Sequence, residues 1–287
     1  MPTLSLVIPA YNEEARLPAL LATLARSAAG AVEVAGMSLH ETLIVDDGSS
    51  DGTREILRRA EDEQQGLRAV LEYERNRGKG AAVATGVLAA RGEYVLIADV
   101  DLSTPLEELG NLAEAMRAGA DVAIGSRAIE GAMVERGPVH RKLLGKAFNG
   151  TVRMLTGLDA HDTQCGFKLL RTRDAQAFLA AQICPGFAYD VELLLRADQA
   201  GLKIVEVPVI YLHDSRSRVK VVSASLKMLR DVCSLSYRLR VRGKEAPGSP
   251  EAAPPLFGLA ADDADGDAGG KAGAGADQAG LGAHRQR

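Results

Sequence analysis

Short apolar runs alternate with amphipathic stretches through most of this chain. Residues 4–9, Leu-Ser-Leu-Val-Ile-Pro, read as a short buried strand, and residues 14–29 follow with Leu17, Leu20, Leu21 and Leu24 at helical spacing. The alternation continues with strands predicted at 42–45, 67–73, 94–98 and 122–125 and helices at 52–64, 80–91 and 106–118. Beyond that the pattern is less regular. It predicts a helix at 141–155, a strand at 167–170, a helix at 191–200, a strand at 204–207 and a long helix over 219–242. Alternation of this kind implies right-handed βαβ units, and so an α/β fold with a single Rossmann-like, mostly parallel sheet flanked by helices. Ligands on such sheets bind at the carboxyl ends of the strands, so reactive side chains are expected just after each apolar run.

The pattern stops near residue 243. From there to residue 287 Ala, Gly, Asp and Pro dominate, β-branched residues are absent, and Phe257 is the only aromatic. Such a segment cannot bury enough apolar surface to offset its ordering entropy, and it reads as a disordered tail. Residues 213–242, by contrast, carry eight Lys or Arg and two acids. The expected organisation is a main domain over 1–212, a basic amphipathic C-terminal helix region over 213–242, and the tail over 243–287.

Composition changes this picture only at the margins. A formal net charge of -4 argues against a general nucleic-acid partner. Cys165, Cys184 and Cys233 are widely spaced, match no metal-finger or disulfide pattern, and point to a reducing compartment. The sequence opens with no basic-then-apolar leader and contains no uninterrupted apolar run of about 18 residues, so neither a signal peptide nor a spanning helix is expected.

Polar residues cluster where the sheet argument places them. The first strand ends in Pro9-Ala10-Tyr11-Asn12-Glu13-Glu14. A tyrosine and carboxylates there suit a base and its ribose, although a proline turn with Asn12 as a helix cap is the plainer reading. The second strand ends in Asp46-Asp47-Gly48-Ser49-Ser50-Asp51-Gly52-Thr53. Adjacent carboxylates repel, so the Asp46–Asp47 pair makes most sense accepting hydrogen bonds from a ligand. Asn76-Arg77-Gly78-Lys79-Gly80 reads equally as a phosphate-approaching loop or a simple turn, and it lacks the P-loop spacing.

The strongest local signal is Asp99-Val100-Asp101-Leu102-Ser103-Thr104-Pro105 after the apolar run at 94–98. Two carboxylates two residues apart suit a hard cation, Mg2+ or Mn2+, that is also held by substrate phosphates. The plainer reading makes Asp101 or Ser103 a cap. Asp162-Thr163-Gln164-Cys165-Gly166-Phe167-Lys168 precedes a predicted strand, and Asp190 precedes a predicted helix that it also suits as N-cap. His213 reads as a surface histidine.

Taken together, these segments resemble the inverting glycosyltransferases of family 2, with the GT-A fold, over residues 4–242. In order and spacing they are similar to the dolichyl-phosphate or polyprenyl-phosphate β-glucosyltransferase branch. The resemblance implies that Pro9, Tyr11, Glu13 and Asp46 or Asp47 hold the uridine of a nucleotide sugar, UDP-glucose, with Lys79 near the nucleotide. It implies that Asp99 and Asp101 hold the ribose and the metal-bound diphosphate, and that Arg127 and Arg141 face a phosphate.

The chemistry expected is attack of an acceptor oxygen on the anomeric carbon from the face opposite the leaving diphosphate. A hydroxyl acceptor requires a base, with Asp190 as first candidate and Asp162 as second. A phosphate acceptor is already ionised and needs only cations, with Arg127, Arg141 and Lys168 as candidates. A soluble sugar or polysaccharide acceptor is the alternative to a polyprenyl phosphate. A nucleotidyltransferase and a non-catalytic nucleotide-sugar sensor remain as further readings. On a helical wheel, Val222, Leu226, Leu229, Cys233 and Tyr237 share one stripe of the last helix, and Lys220, Lys227, Arg238 and Arg242 gather beside it. That arrangement suits either packing on the domain or a peripheral seat on an anionic membrane surface, expected on the cytoplasmic face.

Overall fold

The computed structural model describes residues 1–63, 67–70, 73–135, 139–212 and 221–241. The Arg141 side chain, His213 and the tail from 243 lie outside this set, as do the side chains of Val222, Leu226 and Lys227. Strand β1 (Thr3–Ala10) runs through the middle of the sheet and pairs in parallel with β2 (Ser38–Asp46) on one side and β4 (Tyr94–Ile97) on the other. Its side chains alternate between two cores. Leu4, Leu6 and Ile8 join one apolar cluster, and Val7 joins the other. A strand buried on both faces reads as a continuous apolar run, as the 4–9 segment does.

The full order is β3-β2-β1-β4-β7-β5-β8, with β3 at Leu67–Val70, β5 at Val122–Ser126, β7 at Lys168–Arg171 and β8 at Ile204–Pro208. Strand β7 runs antiparallel to both β4 and β5, while the other pairings in this sheet are parallel. The mostly parallel sheet expected from the alternation is thus present, with one reversed strand. A second, two-stranded sheet pairs β6 (Met133–Val134) with β9 (Ile210–Tyr211). These strands are too short to leave a periodic signal in the sequence.

Helices cover both faces. Helix α1 (Leu17–Thr23) continues through a π-helical turn, Leu24–Ala28, into α2 (Ala29–Val34). The helix therefore begins three residues later than the sequence suggested and ends five residues later. Leu17–Val34 is long and apolar enough to cross a membrane by length and composition, contrary to the expectation of no such helix. Leu17, Leu20, Leu21, Leu24, Ala28 and Val32 are nevertheless all buried in the cluster under the sheet.

On the opposite face lie α4 (Lys79–Ala89) and α8 (Tyr189–Gln199). The remaining helices are α3 (Thr53–Glu63), α5 (Leu109–Arg117), α6 (Val139–Thr156), α7 (Thr172–Ala180) and α9 (Val221–Ser236). Helix α7 was missed because its polar first turn, Thr172-Arg173-Asp174, hides a three-residue apolar stripe.

Helix α9 packs against α6 and α8, and the described part of the stripe the wheel suggested is divided, with Leu229 half-buried. Val232 and Leu235 are buried and Met228 and Leu239 half-buried, whereas Cys233 and Tyr237 are exposed. Arg230 and Arg238 are exposed beside them.

Candidate active site

The carboxyl edge of the sheet gathers carboxylates from β1, β2 and β4 and from the loops that enter β7 and α8. Pro9 is buried within β1, and the chain leaves the strand at Tyr11, which is 45% exposed. Asn12 adopts φ 55°, in the left-handed region that Asn tolerates better than most residues. Its Oδ1 accepts from the Ser50 N–H at 2.8 Å, and its own N–H donates to Ser49 Oγ at 2.8 Å. The turns after β1 and β2 are thereby tied together. Glu13 follows, held by Arg16 Nη1, which donates to both carboxylate oxygens at 3.1 Å.

The two β2 carboxylates are both buried, and both are occupied by protein donors. Asp46 accepts from the Ser49 N–H at 3.1 Å and from Arg54 Nε at 3.3 Å. Asp47 accepts from Asn76 Nδ2 at 2.8 Å, the Arg77 N–H at 2.8 Å and the Gly78 N–H at 2.9 Å. Burial pushes the Asp47 carboxyl up, and these backbone donors only partly counter it. Asp47 thus clamps the Asn76–Gly78 turn that leads into α4. Gly78 sits there at φ 111°, a conformation only glycine adopts without strain, and it delivers Lys79 to the site.

Lys79 Nζ meets Asp99 Oδ1 at 2.6 Å. Burial is the largest single influence and opposes the charge on both partners, but their mutual attraction together with Asp190 and Asp101 at Lys79, and with Lys168 and Arg127 at Asp99, outweighs it. The Lys79 pKa is therefore raised and the Asp99 pKa lowered. Gly166 lies against Asp99 so closely that a Cβ there would stand 2.5 Å from the Asp99 carboxyl carbon. Gly166→Ala is accordingly expected to displace Asp99 and cut turnover at least tenfold, while leaving the thermal midpoint within a few degrees. Steady-state assay beside calorimetry checks this.

Asp101 accepts from the Ser103 N–H at 3.0 Å through Oδ1. Leu102, between them, is held at φ 45°, a left-handed backbone that costs a branched residue about 1–2 kcal/mol. Strain of this kind collects at functional turns, where the surrounding structure over-determines it.

Two further pairs complete the edge. Arg127, just after β5, donates to Asp162 through Nε at 2.6 Å, Nη2 at 2.9 Å and its backbone N–H at 3.0 Å. Burial disfavours the ionised Asp162, but the Arg127 bonds outweigh it and hold its pKa low. The Arg127 guanidinium also lies over the Tyr211 ring, 5.0 Å from its centroid.

Lys168, expected to face an acceptor phosphate, is instead 0% exposed and donates to Asp190 and to the Cys165 carbonyl. In this structure it is the counter-ion of Asp190. The sequence-selected residues Asp99, Lys79, Asp162, Arg127, Lys168 and Asp190 therefore stand together, whereas Asp46 and Glu13 are engaged by nearby residues of their own segments and Asp47 by the Asn76–Gly78 turn.

One residue escaped the sequence reading altogether. Glu206 on β8 accepts from the backbone N–H groups of His161 and Asp162 at 2.8 and 2.9 Å. The signal for it was available: a carboxylate in the apolar run Ile204-Val205-Glu206-Val207.

Asp99 and Asp101 fit the oxygen-donor preference of a hard divalent cation. Among the described residues no group of three or more His, Cys, Asp or Glu side chains could hold a metal by itself.

Comparison with known proteins gives the family and the fold. A model of Glycosyl transferase family 2 matches residues 5–178. A dolichyl-phosphate beta-glucosyltransferase of Dictyostelium discoideum is 30% identical over 242 residues, 82% of this chain and 74% of that protein. A polyprenol monophosphomannose synthase of Mycolicibacterium smegmatis is 34% identical over 225 residues, 77% of this chain and 82% of its own length. Among solved structures, glucosyl-3-phosphoglycerate synthase from Mycobacterium tuberculosis in complex with UDP superposes with a TM-score of 0.59 at 20% identity, over 82% of this chain and 80% of that one. The same enzyme has been captured with Mn2+, UDP and glucosyl-3-phosphoglycerate. The sheet order, the carboxyl-edge acids and these relatives agree: the fold is GT-A, and the chain belongs to glycosyl transferase family 2.

Proposed function

We propose that the protein transfers glucose from UDP-glucose to a polyprenyl phosphate, inverting the anomeric centre. One observation carries the acceptor class. The two carboxylates best placed by sequence to act as a base, Asp190 and Asp162, are each bound to a buried or half-buried cation. The Arg127 bonds hold the Asp162 carboxyl below the usual carboxylate range and Lys168 occupies Asp190, so the site suits an acceptor that arrives ionised. A phosphate monoester does, since its second pKa lies near 6.

Arg127 presents the remaining edge of its guanidinium to that phosphate. Lys79 stands where the diphosphate leaves, and Tyr11 and Pro9 border the space for the uridine. Asp99 and Asp101 would hold Mg2+ or Mn2+, which when bound supplies Lewis-acid stabilisation of the departing diphosphate. The name of the Dictyostelium relative favours glucose as the sugar.

The outer face of α9 and of the π-helical stretch Tyr237–Val241 that follows it, with Arg230 and Arg238 beside Cys233 and Tyr237, suits an anionic membrane surface. Basic residues near such a surface contribute about 1 kcal/mol each.

The test is an acceptor panel with UDP-glucose and Mg2+ or Mn2+: farnesyl phosphate, farnesol, and 3-phosphoglycerate. Transfer to farnesyl phosphate alone is the expected result. Transfer to farnesol would restore a base to the mechanism, and transfer only to 3-phosphoglycerate would move the acceptor into solution. Binding to anionic liposomes that weakens at high salt is expected alongside.

A further inference from the structure

Strand β8 lies at the edge of the sheet, paired with β5 so that Glu206 stands opposite Ile124. A charged residue in that apolar run needs partners, and its partners lead to the active site. Glu206 Oε2 accepts from the His161 N–H at 2.8 Å and lies 2.9 Å from His161 Nδ1, while Oε1 accepts from the Asp162 N–H at 2.9 Å. The Glu206 side chain is only 10% exposed. Burial opposes its charge, but the His161 and Asp162 donors, with Ser126, prevail and hold its pKa below the usual value.

The turn that Glu206 fixes has one further engagement at the site. Asp162 gives both carboxylate oxygens to Arg127, in the side-on geometry that locks a guanidinium plane. With Nε and one Nη2 hydrogen committed, the two Nη1 hydrogens and the second Nη2 hydrogen have no further bond among the described residues and can meet a ligand. The Tyr211 ring supports the other side of the plane. Glu206, the 161–162 turn, Asp162 and Arg127 thus form a chain of charge-assisted contacts running from the outer strand to the reacting edge.

We propose that Glu206 is a positioning residue for the acceptor. By anchoring the His161–Asp162 turn it sets the plane of Arg127, and through Arg127 the place of the acceptor's phosphate. This rests on the reading of Arg127 as the acceptor-phosphate group. On this proposal Glu206 acts on the acceptor through Asp162 and Arg127 and not by contact with it.

The experiment is a double-mutant cycle in the full-length enzyme, with farnesyl phosphate as varied acceptor and UDP-glucose as donor. Glu206→Gln keeps the shape but replaces one accepting oxygen with an amide that faces an N–H. Loss of one such charge-assisted bond is expected to raise the acceptor KM about tenfold. The donor KM and the UDP dissociation constant should stay within about twofold, the scatter expected for uncoupled sites.

In an Arg127→Ala background the same change should add nothing further to acceptor KM. A purely structural role would not vanish in that way. His161→Ala, which removes only the half-exposed ring contact, serves if Glu206→Gln folds poorly, and should raise acceptor KM about threefold.

Unchanged acceptor KM in both variants, or equal effects on donor and acceptor, would overturn the positioning role, as would full additivity with Arg127→Ala. Should Arg127→Ala itself leave acceptor KM unchanged, the reading of Arg127 fails and the role of Glu206 with it.

Discussion

Asp101→Asn is expected to lower UDP release from UDP-glucose by about a hundredfold to a thousandfold, the range seen when one electrostatic stabiliser is removed from a reacting site. The substitution is nearly isosteric. The asparagine oxygen can still accept from the Ser103 N–H, so the strained turn at Leu102 keeps its anchor. What changes is one negative charge beside Asp99, in a site whose cations Lys79, Lys168 and Arg127 already act on Asp99. The thermal midpoint should therefore stay close to that of the parent protein while turnover collapses. A titration of Mn2+ in the presence of UDP, read by the concentration at half-maximal release, completes the measurement. Turnover near the parent value would sink the assignment of Asp101 to the metal-bound diphosphate.

The second large effect is on stability. Lys168 is fully buried, and its ammonium is held by Asp190 and the Cys165 carbonyl. Lys168→Met removes the cation and strands a carboxylate in the interior, which costs about 3–5 kcal/mol in comparable cases. Against a total stability of about 5–15 kcal/mol, that is enough to bring unfolding close to working temperature. Asp190→Leu in the same chain removes the stranded charge, and most of the loss should return. Urea unfolding of the single and double variants measures both. A loss under about 1 kcal/mol in Lys168→Met would mean that water or a neighbouring cation such as Lys79 serves Asp190 instead.

The fold was largely legible because its signal is repetitive. Runs such as Leu4–Ile8 and Val95–Ile97 are buried on both faces, and a strand of that kind announces itself by composition alone. The reversal of β7 was not legible. Direction in a sheet is decided by how the connections close, and Lys168–Arg171 reads the same either way.

Within the site, the Asp99–Asp101 segment and the 162–168 segment stood out because polar residues interrupt apolar runs at the sheet's edge. Their partners did not stand out. That Lys168 serves Asp190, and that Asp47 serves the Asn76–Gly78 turn, are facts of distance between segments far apart in sequence. A lysine read as surface-exposed and one read as buried look identical in a string of letters. Glu206 was missed for the opposite reason: its anomaly was visible, but residues 204–207 were read for their period rather than for the charge that breaks it.

The antiparallel strand has a consequence for the order in which the molecule can assemble. Strands β4 and β5 are never neighbours, because β7 lies between them and joins both. A ribosome that has emitted the chain as far as Thr156 has released β4 with one unpaired edge and β5 with both, because β7 and β8 still lie ahead. Asp99 is already present at that stage but has neither Gly166 against it nor the Lys168–Asp190 pair nearby. Vectorial folding, with earlier segments settling first, therefore leaves the candidate active edge until last. The nascent protein passes through an interval in which the sheet is open and sticky, and chaperone demand should peak before Arg171 emerges and fall once β7 has filled the slot.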